Sequence, residues 1–286
     1  MAPDHGEDIE PDEFVPRGHF YSPYTSNDDI ERALGNAQTE AITGVQGIEI
    51  DDGSMIALWN DIVPHMAAAN FPDAEEDGEP FFYQNHMYSY GDADVYAGMI
   101  GHFKPARIVE IGSGFSSAVA VQTRDRLALK TQITFVEPYP DTLNNLMDGR
   151  DWSNVSLIAA PVQDANLQIF KDLEAGDILF VDSSHVAKAG SDVLHEVFRI
   201  LPLLKPGVIA HFHDCFWPFE YPAPWVRDEK RNWTELYLLR SFLMYNSAFE
   251  VLFFNDYFAR SHGAIAEGSH PQFLRNPGGG LWLRRH

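Results

Sequence analysis

The chain has 286 residues, 45% hydrophobic and 13% aromatic, enough to bury one large core or one domain with a sizeable appendage. Its formal charge of −22 repels polyanions, and no basic patch stands out against it, so a nucleic-acid substrate is not expected. The one cysteine, Cys215, excludes an intramolecular disulfide framework. No run of about 20 apolar residues marks a membrane span or an export signal, and a cytoplasmic location is expected.

Residues 1–50 are rich in Asp, Glu and Pro and read as an extended, partly disordered arm carrying Phe20, Tyr21 and Tyr24, which can cover a site or pair subunits into a homo-oligomer. A helix follows, with Met55, Leu58, Trp59 and Ile62 on one face. The loop 71–80 suggests a boundary near residue 80, dividing an N-terminal arm and helical extension (1–80) from a domain over 81–286.

From residue 81 the pattern alternates. A helix beginning near Asp92 leads to a strand at 107–111, broken by Gly112-Ser113-Gly114 before a helix over 116–127. Strands at 131–137, 154–159, 177–182 and 207–213 alternate with helices at 140–148, around 166–173 and at 187–203. An aromatic segment (216–233), a helix (234–247), a strand (249–255), an irregular stretch and GGGLWLRR close the chain. Such alternation implies a parallel sheet with right-handed crossovers and an antiparallel final pair.

The strand, glycine turn and helix start at 107–117 have the geometry of a nucleotide site, because glycine lets the backbone approach a ligand and the helix start offers unpaired N–H groups. Glu137 ends the second strand near the spacing at which doubly wound folds hold a ribose. A plain βα connection and a solvated terminal acid are the alternatives at these two places.

The order of motifs resembles that of class I S-adenosylmethionine-dependent methyltransferases, nearest to the catechol O-methyltransferase-like branch. The landmarks are YGDA (90–93), EIGSGFSSA (110–118), FVEP (135–138), PVQD (161–164), LFVDSSH (179–185) and HFHD (211–214). The resemblance implies a Rossmann-like α/β fold, with a seven-stranded, mostly parallel sheet, helices on both faces and an antiparallel last strand. It also implies S-adenosylmethionine as cofactor. Within its motifs Gly112 and Gly114, with Glu110 and Ser116, flank the methionine part, Glu137 holds the ribose, and Gln163 and Asp164 lie near the adenine. Asp92 helps to hold the amino-acid end, or caps a helix; Asp164 is open to the same alternative. Asp182 adjoins the cofactor.

In that branch a metal is held by an acid ending the fourth strand and two oxygen ligands ending the fifth. Asp182, His213 and Asp214 fall at those places, with an imidazole where an oxygen is expected; such a set suits Mg, Mn, Fe or Zn. His185 stands where the branch has a lysine base, and can act as a base or a fourth ligand. His211 reads as a core histidine and Cys215 as packing. The segment 216–233 suits a lid, or a packed interface loop, with Glu220, Tyr221, Trp225, Asn232 and Trp233 as candidate contacts for a small planar or sugar-like acceptor. A cofactor-binding protein without catalysis and a dinucleotide-dependent dehydrogenase are the competing classes.

Overall fold

The computed structural model describes residues 13–149 and 152–286. The N-terminal residues of the expected disordered arm, and the two residues before Trp152, lie outside the described part.

Part of the arm is helical. Helix α1 (Asn27–Thr43) starts where Ser26 accepts a hydrogen bond from the Asp29 N–H, with Asp28 and Asp29 in its first turn and Ile30 and Leu34 buried. Its two buried positions, four apart, were hidden in an otherwise polar sequence. Helix α2 (Asp52–Ala69) is capped by Asp51 and buries Met55, Leu58, Trp59 and Ile62, as the periodicity predicts. It lies against α3 (Tyr90–Phe103) at Gly98 and Gly101, where a Cβ would press on Ile62, Met66 and His65. Trp59 stacks on Phe258 at 4.6 Å and donates its indole N–H to Ser269. One hydrophobic cluster therefore includes both the N-terminal extension and the sheet.

The alternating segments form β1 (Arg107–Ile111), α4 (Phe115–Arg126), β2 (Gln132–Val136), α5 (Asp141–Leu146), β3 (Val155–Ile158), α6 (Gln168–Lys171), β4 (Ile178–Val181), α7 (Asp192–His195) and β5 (Ile209–Phe212). Then come α8 (Ala223–Arg227), α9 (Glu235–Leu243), β6 (Phe249–Phe254), α10 (Asn255–Ser269) and β7 (Leu281–Arg285). The described residues make a seven-stranded sheet in the order β3-β2-β1-β4-β5-β7-β6, with β7 antiparallel to both neighbours. This is the Rossmann-like arrangement expected. Successive strands are added in one direction from β1 to β3 and in the other from β4 onward, and this switch between β1 and β4 opens a crevice at the carboxyl ends of those parallel strands.

Two expected elements differ. The helix expected over 187–203 begins only at Asp192, because Gly190 takes φ +77° and Ser191 caps the Leu194 N–H. It then continues as a π turn (Glu196–Ile200) and a 3-10 turn (Leu201–Leu203), leaving 183–190 free to wrap the strand ends. The stretch after β6, expected to be irregular, is α10, kinked at His262.

Candidate active site

Register aligns the ends of the central strands. Gly112 N–H donates to Val136 O, Asp182 N–H to Ile111 O, and His213 N–H to Val181 O, which sets the glycine turn, Asp182 and His213 side by side at the crevice. Gly112 has φ +84°, and a Cβ there would collide with the Asp182 carbonyl oxygen, so both conformation and space require glycine.

Glu110, expected among the cofactor contacts, lies beneath the turn instead. It is fully buried, and its Oε1 accepts from the hydroxyls of Ser116 (2.8 Å) and Ser117 (2.6 Å), with Tyr96 on Oε2. Ser117 Oγ in turn accepts from the Gly114 N–H. Ser116 is likewise buried, so both residues brace the turn from below. Burial pushes the Glu110 carboxyl up to about 8, despite the serine hydrogen bonds. Gly114 remains at the mouth of the crevice, half-buried.

Glu137 follows β2, half-buried, with Oε1 accepting from the Tyr139 N–H at 2.7 Å. Gln163 and Asp164 lie in a 3-10 turn after β3; Gln163 donates to Gly190 O at 3.0 Å, and Asp164 is exposed. These three residues border the side of the crevice formed by β2 and β3.

Asp92 does not cap α3 through its side chain. Its carboxylate accepts from the Gly279 N–H (3.1 Å) and the Asn255 amide (3.2 Å), while Gly278, at φ +74°, leaves no room for a Cβ against it. Burial is the main reason that its carboxyl is pushed up to about 7, with His213 opposing and Asp214 adding to the shift.

His185, Asp182, His213 and Asp214 come together on the β4 and β5 side. His185 Nε2 lies 3.4 Å from Asp182 Oδ1 and 3.5 Å from Asp214 Oδ2; His213 Nε2 lies 3.6 Å from Asp214 Oδ1 and its Nδ1 4.0 Å from Asp92. Both His185 (φ +60°) and Asp214 (φ +55°) adopt left-handed backbone, uncommon for residues with a Cβ and here aiming both side chains at the crevice. Burial disfavours the charged His185 imidazole, but hydrogen bonds and charge from Asp182 and Glu235 outweigh it and hold the pKa well above its usual value. His213 is raised too, its burial overcome by Asp214, Asp182 and Asp92. Burial of Asp182 is overcome in turn by His213 and His185, which lower its pKa.

Among the described residues no group of three or more His, Cys, Asp or Glu is gathered as a metal ion requires. One imidazole and two carboxylates ending adjacent strands fit a divalent cation chemically; the His213 nitrogen facing Asp214 is Nε2, whereas the unpartnered Nδ1 faces Asp92. The case for a metal rests on that chemistry. His211 is a core residue as expected, buried, stacked on Phe180 (4.2 Å) and in tilted contact with Trp282 (4.3 Å).

The segment 216–233 is a packed aromatic layer. Tyr221 is buried, and its hydroxyl accepts the Leu236 N–H at the start of α9, so it supports a helix instead of facing an acceptor. Trp225 packs edge-on against Phe216 and Trp233, with Arg231 stacked over it at 3.9 Å. Glu220, Asn232 and Trp233 do line one cavity of about 590 Å³, whose far wall is the arm from Arg17 to Ala33. A larger cavity, about 1010 Å³, opens at the opposite edge of the sheet beside Arg284 and His286 and includes none of the predicted site residues.

Sequence reasoning missed Glu235. It is buried at the first turn of α9 and its Oε2 lies 2.8 Å from His185 Nδ1. An acid in the first turn of a helix ordinarily reads as favourable to the helix dipole, so nothing in the local pattern singled it out.

A protein-family model described as a methyltransferase domain matches residues 109–215. An uncharacterized protein of Archaeoglobus fulgidus is 32% identical over 174 residues, which cover 58% of this chain and 77% of the relative. The chain therefore carries a methyltransferase domain over residues 109–215. Among solved structures, this methyltransferase is similar to the Podospora anserina methyltransferase PaMTH1 bound to S-adenosylhomocysteine, with 21% identity, 90% of this chain and 96% of that one covered, and a TM-score of 0.43. It is also similar to an O-methyltransferase from Bacillus cereus in complex with S-adenosylhomocysteine, with 12% identity, coverage of 90% and 100%, and a TM-score of 0.42. The matched segment of the methyltransferase runs from within β1 to Cys215, and so contains the glycine turn, Glu137, Asp182, His185, His213 and Asp214.

Proposed function

We propose that this methyltransferase acts on the hydroxyl oxygen of a small planar or sugar-like acceptor, with His185 as the base. The observation that carries the reading is the position of His185 Nε2, held between Asp182 and Asp214 at the carboxyl ends of β4 and β5. When bound, S-adenosylmethionine would supply a methyl group already activated by its sulfonium charge, the methyl carbon–sulfur bond breaking to leave the neutral thioether S-adenosylhomocysteine.

The chain then has two tasks. The first is positioning, which can supply about 7–11 kcal/mol of rate acceleration. The glycine turn at Gly112 and Gly114 gives backbone close approach, Glu137 offers a carboxylate to the ribose hydroxyls, and Gln163 and Asp164 border the adenine. The second task is to remove the acceptor's proton. His185 Nε2 receives it as the acceptor oxygen forms its bond to the methyl carbon. The surrounding carboxylates favour charged imidazole in the ligand-free site, and a cationic sulfonium arriving beside them shifts that balance toward the neutral, proton-accepting form. A divalent cation held by Asp182, His213 and Asp214 would add Lewis-acid polarisation of the acceptor oxygen. Glu220, Asn232 and Trp233 line a cavity whose facing wall is the arm, and Trp233, which also lies against the His185 ring, would bring that cavity to the acceptor.

The test is methyl transfer from radiolabelled S-adenosylmethionine to a panel of vicinal diols, phenols, sugars and amines, with wild type beside His185→Gln. Transfer to hydroxyl acceptors that falls at least about 10²-fold in the variant, at unchanged S-adenosylhomocysteine affinity, supports the reading. Transfer confined to amines, or undiminished in His185→Gln, overturns it.

A further inference from the structure

We propose that Glu235 is the positioning residue that orients the His185 imidazole, fixing Nδ1 as the donor and directing Nε2 into the crevice. The inference rests on the assignment of His185 as the base.

The two residues are tied twice. Their side chains meet at 2.8 Å between Nδ1 and Oε2, and the His185 carbonyl accepts the N–H groups of Thr234 (2.9 Å) and Glu235 (3.1 Å). Those N–H groups belong to the start of α9, where a helix has no internal acceptor for them. Thr234 adds a third link, its hydroxyl accepting from the Ala187 N–H. The loop between β4 and α7 is thereby fastened to the first turn of α9 around His185, whose φ of +60° turns the chain at that point.

The ring has little freedom left. Trp233 lies against it at a centroid distance of 4.4 Å, and the side chains of His185 and Glu235 are 7% and 2% exposed. With Nδ1 held by Glu235, the other nitrogen faces Asp182 and Asp214. A ring flip would exchange Nδ1 with Cδ2 and Nε2 with Cε1, leaving Glu235 facing a C–H group.

The burial of Glu235 points the same way. Among the described residues its side chain has one hydrogen-bond partner, His185, and its second oxygen, Oε1, has none. A buried carboxyl with one partner opposes folding, because desolvation of the charged form is poorly offset. Hydrophobic residues fill the remaining buried positions of α9, Leu236, Leu239 and Leu243, and would serve packing equally well at 235. What Glu235 adds over such a residue is the fixed imidazole, in the manner in which an acid orients a histidine base in hydrolase triads.

The test is a proton–nitrogen NMR spectrum of protein carrying ring-¹⁵N histidine, with His185→Asn to assign the signal. The expected result is a far-downfield, exchange-protected Nδ1–H resonance in wild type that disappears in Glu235→Leu and is kept, shifted upfield, in Glu235→Gln, whose amide oxygen can still accept. Unchanged S-adenosylhomocysteine affinity shows that the variants are folded. Should Glu235→Leu not fold, the upfield shift in Glu235→Gln decides. An Nδ1–H signal insensitive to both substitutions, or a proton found on Nε2 with Nδ1 bare, overturns the proposal. Failure of the base assignment is separable: it shows as methyl transfer surviving His185→Gln, with this spectrum unaffected.

Discussion

Gly112 lies directly against the carbonyl oxygen of Asp182, at the place where β1 and β4 end and the crevice opens. The glycine turn and the candidate catalytic strand end are therefore mechanically one unit, and a change in the first moves the second.

Gly112→Ala is expected to combine a positive-φ penalty with overpacking against Asp182, each on the order of 1–3 kcal/mol. A lower melting temperature together with weakened S-adenosylhomocysteine binding, read by differential scanning fluorimetry, is the predicted outcome. Wild-type binding and melting in Gly112→Ala would contradict the close approach.

Glu110 gives a pH-dependent prediction. Its folded pKa, about 8, exceeds the ordinary 4.5, so between those values the folded state holds a proton that the unfolded state has released. The sign follows: this carboxyl's contribution is fully present below about pH 4.5, declines by up to about 1.4 kcal/mol per pH unit, and is lost above about pH 8. Glu110→Gln, isosteric with the neutral acid, should show a flatter decline of stability between pH 5 and 8 in urea unfolding. A decline as steep as that of wild type would argue against a protonated Glu110.

The arm is fastened to the segment 216–233 and to α9 by paired charges. Arg227 grips Glu31 and Arg240 grips Glu40, each through two hydrogen bonds, while Asn232 accepts the Thr25 N–H. Exposed pairs weaken with salt. Limited proteolysis should cut between α1 and α2 faster in high salt, or in the Glu31→Lys, Glu40→Lys double variant, with the sheet domain left intact. A cutting rate indifferent to both would show that apolar contacts hold the arm.

Trp233 touches the His185 ring and lines the cavity facing the arm. Trp233→Ala should therefore impair turnover of a hydroxyl acceptor about 10-fold or more while leaving S-adenosylhomocysteine affinity unchanged. Calorimetric titration beside acceptor kinetics checks it, and a loss confined to cofactor affinity would place Trp233 on the wrong side of the site.

What the sequence made legible was local. Branched residues ending in Gly112-Ser113-Gly114 announce a strand and turn, and Glu137, Asp182 and His213 each close a run of strand-forming residues, so their gathering at one sheet edge follows from topology alone. Side-chain direction was not legible. Glu110 sits in the same motif as Gly112 yet points beneath the turn, where the hydroxyls of Ser116 and Ser117 complete its hydrogen bonds, and those partners are set by the start of α4, not by the strand pattern. Tyr221 read as a lid residue because aromatic loops near a site invite that reading; its buried hydroxyl serves a helix start. Helix α1 was missed because its two buried residues, Ile30 and Leu34, are too few to give a periodic signal. Glu235 was missed because its partner lies 50 residues away, and only the fold brings them together.

The most direct test of methyl transfer to oxygen with His185 as base is to supply S-adenosylmethionine carrying a ¹³C methyl group to wild type and His185→Asn, and to locate the labelled carbon in the product by NMR. The account predicts a methyl carbon bonded to oxygen in the wild-type product and almost none from His185→Asn, at equal S-adenosylhomocysteine affinity. A methyl carbon on nitrogen or carbon, or equal product from both proteins, would contradict it.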